Sequence, residues 1–225
     1  MRQIVVFDVN ETLLDLGALD PLFTQWFGTP EARRDWFGRT LHLAMTLAAT
    51  RVYRDFSEIG AAALTDVATQ HGVTISDDAR GQLREGIVNL PPHPDVIPAL
   101  RMLREAGFRT AALSNNAAAI LSAQMECSGI AALFDKIISV EEAGTLKPAP
   151  EVYRYAANRL EIAPDALWMV AAHGWDIAGA MRAGLRGAFV ARPGQRPDPF
   201  APPDIVAADL LGVATAIIAT QPNTS

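Results

Sequence analysis

A short apolar run, Ile4-Val5-Val6-Phe7, ends abruptly in the polar cluster Asp8-Val9-Asn10-Glu11-Thr12. The run is rich in β-branched residues and reads as a strand buried on both faces, as in a parallel sheet. Open α/β sheets bind their ligands just beyond the carboxyl ends of the strands. Asp8 would then stand half desolvated at the floor of a site, on a rigid element. Such a carboxylate can act as a nucleophile, because it has lost part of its water shell and its aim is fixed. The same Asp could equally cap the turn that follows. Three further polar clusters bear on that choice: Ser114-Asn115-Asn116, the loop around Lys147, and His173-Gly174-Trp175-Asp176.

The rest of the chain must bring these clusters together. From Pro94 onward strands alternate with helices. Helix Asp95–Ala106 is stopped by Gly107, and strand Phe108–Leu113 follows. Helix Ala117–Ser128 is stopped by Gly129. Then come strand Lys136–Val140, loop Glu141–Pro150, helix Glu151–Leu160, strand Ala166–Val170, helix Ile177–Ala183, strand Gly187–Val190 and a short strand at Ile205–Val206. This alternation means right-handed βαβ units and a parallel sheet. The carboxyl ends of such a sheet lie on one side, so all four polar clusters converge on one edge.

Between the first two strands, residues 18–27, Glu31–Thr50, 57–71 and 76–87 read as helices. Thr29 is the expected N-cap of the long one, with Pro30 in its first turn. On that helix Trp36, Thr40, Leu43 and Leu47 form one stripe, and Phe37, Leu41, Ala44 and Ala48 form its neighbour. So wide an apolar face must cover something. The expected fold is α/β: a Rossmann-like parallel-sheet core (residues 1–14 and 91–225) with a helical cap domain inserted after the first strand (residues 15–90). The Pro-rich loop Arg192–Pro203 reads as surface punctuation and the tail from Gln221 as frayed.

Composition bounds the function. Of 225 residues, 50% are hydrophobic and 20% charged, ordinary values for a globular protein. A net charge of −6 gives no basis for a nucleic-acid or anionic-membrane partner. No apolar run reaches the ~18 residues of a membrane span, and no basic leader precedes the first strand. The single Cys127 allows no internal disulfide and fits a reducing, cytoplasmic setting. Its expected role is that of a small buried apolar residue. His42, His71 and His93 show no metal-ligand spacing and are expected to be structural or exposed.

The ordered motifs Asp8-x-x-x-Thr12, Ser114-Asn115, Lys147-Pro148 and Trp175-Asp176-x-x-Gly179-Ala180 resemble those of the haloacid dehalogenase superfamily. Lys147-Pro148-x-x-x-Val152-Tyr153 and the cap helix starting near Trp36 are similar to the type II, L-2-haloacid dehalogenases. The resemblance implies that Asp8 attacks the carbon bearing a halogen, that an aspartyl ester forms, and that water hydrolyses it to a 2-hydroxy acid. It implies that Thr12 and Ser114 hydrogen-bond the nucleophile or ester and the substrate. Asn115 would help position the substrate carboxylate. Lys147 would keep Asp8 ionised, as an ammonium within ~4–6 Å does, and Asp176 would hold Lys147. Tyr153 would either orient Lys147 or simply pack. The implied partner is a small 2-haloacid, with no metal and no cofactor. A homodimer is a family-level expectation.

The chain also departs from two patterns. Phosphatases of the superfamily use Asp-x-Asp and a further acid in the fourth motif to hold Mg²⁺. Here the second Asp, the general acid of that pattern, is replaced by Asn10, which cannot donate a proton as a carboxylic acid, and the metal-holding acid by Ala172, whose methyl cannot hold a hard cation. The dehalogenase pattern usually has an Arg beside the cap-helix Trp, an aromatic at position 10, and Ser and Asn in the fourth motif. Here stand Phe37, Asn10, Ala171 or Ala172, and His173. Phe37 and Leu41 are expected to form an apolar pocket for a polarizable halogen, with Arg39 facing elsewhere. Glu11 and His173 fall on the same sheet edge, and a neutral imidazole oriented by a carboxylate is a general base suited to pH 7. The expectation is that His173, paired with Glu11, activates the water that cleaves the ester. The expected catalytic set is thus Asp8, Glu11, Lys147, His173 and Asp176. Asn10, Thr12, Phe37, Leu41, Ser114, Asn115, Tyr153 and Trp175 are expected to line the substrate. The rival expectations are a small-molecule phosphatase, or a decayed relative that only binds a small carboxylate.

Overall fold

The computed structural model describes residues 3–221. The first strand, β1 (Ile4–Phe7), is fully buried. Four cap helices follow: α1 (Asp20–Phe27), α2 (Glu31–Thr50), α3 (Phe56–Gln70) and α4 (Asp77–Val88). The chain then alternates through α5 (Val96–Glu105), β2 (Arg109–Ser114), α6 (Ala118–Cys127), β3 (Lys136–Ser139), α7 (Pro150–Leu160), β4 (Leu167–Ala171), α8 (Gly174–Arg182), β5 (Arg186–Val190), β6 (Ile205–Ala207) and α9 (Leu210–Ala219). The sheet is parallel throughout, in the order β3-β2-β1-β4-β5-β6. The order reverses at β1, which has β2 on one side and β4 on the other. That reversal opens the crevice in which such sheets bind ligands.

The cap helices are set by local chemistry. Asp55 caps α3 by accepting from the Ser57 N–H at 2.6 Å, and Ser76 caps α4 by accepting from the Ala79 N–H at 3.1 Å. Trp36 on α2 is buried and its Nε1–H donates to the Gly60 carbonyl of α3 at 2.8 Å. The two helices thereby lock at their crossing.

Several local expectations are corrected. Thr29 does not cap α2; its hydroxyl is turned to the Glu31 carboxylate, and Pro30 occupies the cap position. The apolar face of α2 is fully buried at Trp36, Phe37, Thr40 and Ala44, and partly buried against the core at Leu41, Leu43, Leu47 and Ala48. Cys127 lies exposed at the end of α6. The loop from Arg192 is not mere punctuation. Arg192 forms a double hydrogen bond with Asp95 at 2.8 Å in each arm, and its Nη2 donates to the Thr12 carbonyl at 2.9 Å. Residues 222–225 of the tail lie outside the described residues. No helix among the described residues is long and apolar enough to cross a membrane.

Candidate active site

Register places the site. Phe7 lies opposite Ala112 of β2 and Val170 of β4, so the three strands stop nearly level. Asp8 comes next, its N–H donating to the Val170 carbonyl at 3.0 Å. Its two carboxylate oxygens have different partners. Oδ1 accepts from Lys147 Nζ at 3.0 Å, and Oδ2 accepts from the Thr12 hydroxyl at 2.7 Å. The Thr12 hydroxyl also accepts from the Ala172 N–H at 2.9 Å, which commits its single proton to Asp8.

Lys147 is 1% exposed. Its Nζ also meets Asp176 Oδ2 at 2.8 Å, and Tyr153 donates to Asp176 Oδ1 at 2.5 Å. Tyr153 therefore orients the group that holds Lys147. The Lys147 backbone N–H donates to Asn115 Oδ1 at 2.9 Å, fixing the loop and leaving the Asn115 amide protons unspent on it. A Cβ on Gly179 of α8 would stand 2.6 Å from the Pro148 carbonyl and 2.8 Å from the Tyr153 hydroxyl. Only glycine lets α8 approach the lysine loop this closely.

On the other flank, His173 Nε2 lies 2.8 Å from Glu11 Oε2. Its Nδ1 lies 3.4 Å from Asp8 Oδ2, in ion-pair range but without hydrogen-bond alignment. Gln195 Nε2 also donates to Glu11 Oε2, at 2.8 Å, and Arg33 Nη1 stands 3.6 Å from Oε1. Glu11 adopts φ +61, a left-handed conformation that residues with a Cβ resist. The surrounding hydrogen bonds hold it there.

These contacts fix the charges. Burial opposes ionisation of Asp8, but Lys147, His173 and Thr12 outweigh it and hold the carboxyl well below the usual range. Burial disfavours charged Lys147, yet the Asp176 and Asp8 charges beside it raise its pKa. Burial and the adjoining Asp176 keep Tyr153 a phenol, hence a donor. Burial likewise favours neutral His173, but the Asp8 and Glu11 carboxylates overturn this and raise it to about 9. At pH 7 the expected neutral imidazole is thus an imidazolium at rest. Burial raises the pKa of the Asp176 carboxyl, and the Lys147 ammonium beside it works against that rise.

The pocket over Asp8 is lined on one side by Ser114 and Asn115 and on the other by Phe37, Leu41 and Phe56. Asn10, His173 and Trp175 complete it. The Trp175 Nε1–H is buried and without a partner. Every residue expected at the site is therefore in or beside it. Asn10 has a second duty, accepting from Gln124 Nε2 at 3.2 Å. Asn116 does not cap α6; its amide donates to Gln124 Oε1 at 2.6 Å. Arg39 pairs with Asp66 at 2.8 Å and is turned to α3. Phe56, Arg33, Gln195 and Arg192 escape sequence reasoning. Arg33 carries the one usable signal, since it sits one helical turn before Phe37 and shares its face.

The chain as a whole is similar to known proteins. The model of haloacid dehalogenase-like hydrolases matches residues 3–184. (S)-2-haloacid dehalogenase 1 of Pseudomonas sp. (strain CBS-3) is 31% identical over 177 residues, 78% of each chain. (S)-2-haloacid dehalogenase 2 of the same strain is 30% identical over 204 residues, 86% of this chain and 89% of the relative. The solved L-2-haloacid dehalogenase from Xanthobacter autotrophicus superposes with a TM-score of 0.91 at 25% identity, covering 98% of this chain and 100% of that one. With a family match across most of its length, this chain belongs to the haloacid dehalogenase-like hydrolases.

Proposed function

We propose that the protein hydrolyses short 2-haloalkanoic acids to 2-hydroxy acids, with Asp8 as nucleophile. The observation that carries this reading is the pairing of Asp8 with Lys147 beneath a pocket that is polar on one wall and apolar on the other. Ser114 and the Asn115 amide suit a substrate carboxylate. Phe37, Leu41 and Phe56 suit a polarizable halogen, and the unpaired Trp175 N–H supplies a donor as charge builds on it. An Asp8 oxygen attacks C2, the carbon–halogen bond breaks, and its electron pair leaves with the halide. Lys147 and Thr12 keep that oxygen ionised and aimed.

The ester removes the Asp8 charge, one of the two that hold the proton on His173. His173 then sheds its Nδ1 proton to solvent and keeps its Nε2–H on Glu11, so that the free lone pair faces the ester. Neutral His173 takes a proton from water as its oxygen adds to the Asp8 carboxyl carbon. The carbon–oxygen bond to the product breaks, the leaving alkoxide takes the second proton, and Asp8 and imidazolium His173 are both restored. Each turnover releases one halide and one proton.

The residues present do not fit a magnesium ion. The Lys147 ammonium already stands between Asp8 and Asp176, and Ala172 offers a methyl where an oxygen ligand is needed. The test is halide release from both enantiomers of 2-chloropropionate, with and without EDTA, in wild type and His173→Ala. The expected result is release indifferent to EDTA, with ester mass accumulating on Asp8 in the variant. Phosphate release that requires Mg²⁺, with no halide released, would replace this reading with a phosphatase. Normal ester turnover in His173→Ala would remove the dyad.

A further inference from the structure

A second cavity, about 90 Å³, lies between cap helices α2, α3 and α4 and core helix α6. Its walls include Leu64, Leu83, Ile87 and Ile120. Asn10, Phe37 and Phe56 line both this cavity and the reaction pocket. The two spaces are thus neighbours through those three side chains. The reaction pocket itself is the smaller of the two, with about 20 Å³ of free space.

We infer that this cavity receives the alkyl substituent on C2 of the substrate, so that the protein prefers 2-haloalkanoic acids of about four to six carbons; the inference rests on the dehalogenase reading above. The lining is mainly apolar, with Arg80, Arg84, Thr40 and Asn116 among its polar members, and the apolar part favours removing methylenes from water. At about 90 Å³ the cavity exceeds several-fold the ~10–15 Å³ of such space that one small group needs, so it takes a short run of methylenes beyond C3 of the substrate. Unfilled apolar space costs a fold stability in proportion to its volume, and a ligand chain removes that cost. Asn10 is held back at the junction by Gln124, whose Nε2 also donates to the Ile87 carbonyl at 2.8 Å. Through Gln124, Asn10 is thereby tied to the end of α4.

The test is a chain-length series, with bromide release measured from (S)-2-bromopropionate, 2-bromobutanoate, 2-bromohexanoate and 2-bromooctanoate. Each buried methylene is expected to raise kcat/KM about fourfold as far as hexanoate, with no further gain at octanoate. Leu83→Phe, and independently Ile120→Phe from the core side, should collapse the hexanoate-to-propionate ratio. Thermal melts with halogen-free propionate and hexanoate read the cavity without the reaction; hexanoate should raise Tm more, and less so in both variants. A flat series, or a ratio that survives both substitutions, overturns the inference. Hexanoate stabilisation without bromide release from any acid would keep the cavity assignment and discard the reaction. Neither bromide release nor stabilisation would discard both.

Discussion

Replacing Glu11 by Gln keeps the size and the hydrogen-bonding reach of the side chain but removes the charge facing His173. Charge centres about 4 Å apart interact by roughly 4 kcal/mol at an effective dielectric of about 20. The Glu11 side chain is 17% exposed, so solvent screening trims that figure. A remaining ~3 kcal/mol is enough to bring His173 from about 9 to near neutral. NMR titration of the His173 ring reads this directly. The stability curve should move with it. The folded pKa lies above the unfolded value, so His173 stabilises the fold fully below its ordinary pKa. That contribution is lost as pH rises through about 9 in wild type, and at lower pH in Glu11→Gln. Kinetically, ester formation needs only Asp8 and should change little. Ester hydrolysis should slow, because Glu11 no longer orients the ring or holds the imidazolium that forms, but by less than the ~10²-fold or more of losing the base itself in His173→Ala. A rapid-mixing assay would then show a burst of about one equivalent of halide followed by slow turnover. An unmoved His173 titration, or equal slowing of both phases, would refute the reasoning. Glu11→Gly is the companion variant. It removes the carboxylate but relieves a left-handed backbone that costs residues with a Cβ ~1–2 kcal/mol, so it should melt less far below wild type than Glu11→Ala.

Lys147→Met leaves Asp8 and Asp176 buried without their shared cation, and breaking a buried pair costs ~3–5 kcal/mol. Its Tm should fall at pH 7, recover in part when acid protonates the carboxylates, and halide release should vanish. Gly179→Ala drives a methyl into the Pro148 carbonyl and the Tyr153 hydroxyl; overpacking of this kind costs ~1–3 kcal/mol. It should lower both Tm and halide release, read by melting and by an ion-selective electrode.

The sheet was legible because its signals are local. Ile4–Phe7 is a continuous apolar run with no polar face, and β2, β3 and β4 each lead into a polar cluster on the same edge of the sheet. Asp8, Lys147 and Asp176 could be read from spacing and resemblance together. The Glu11–His173 contact could be placed because both follow strand ends. The resting charge of His173 could not, because it depends on the approach of Asp8 Oδ2 to Nδ1, a distance no spacing encodes. Gln195 and Arg192 were missed for a related reason. Their loop has turn composition, and turn residues say where a chain bends but not what the bend leans on. Thr29 fits a cap by residue type, yet Glu31 two residues on competes for its hydroxyl.

Arg192 gives the carboxy-terminal part of the chain a stake in the chemistry. Each charged side chain around Asp8 comes from position 176 or earlier, and the family match stops at 184. Yet Arg192 grips the carbonyl of Thr12, and Asp95 joins that grip to the first turn of α9 through the Leu210 N–H at 2.8 Å. A chain shortened to residue 184 would retain the whole catalytic inventory and lose the fastener behind it. The turn carrying Glu11 and Thr12 would then be free to relax, with its reagents intact and no longer aimed.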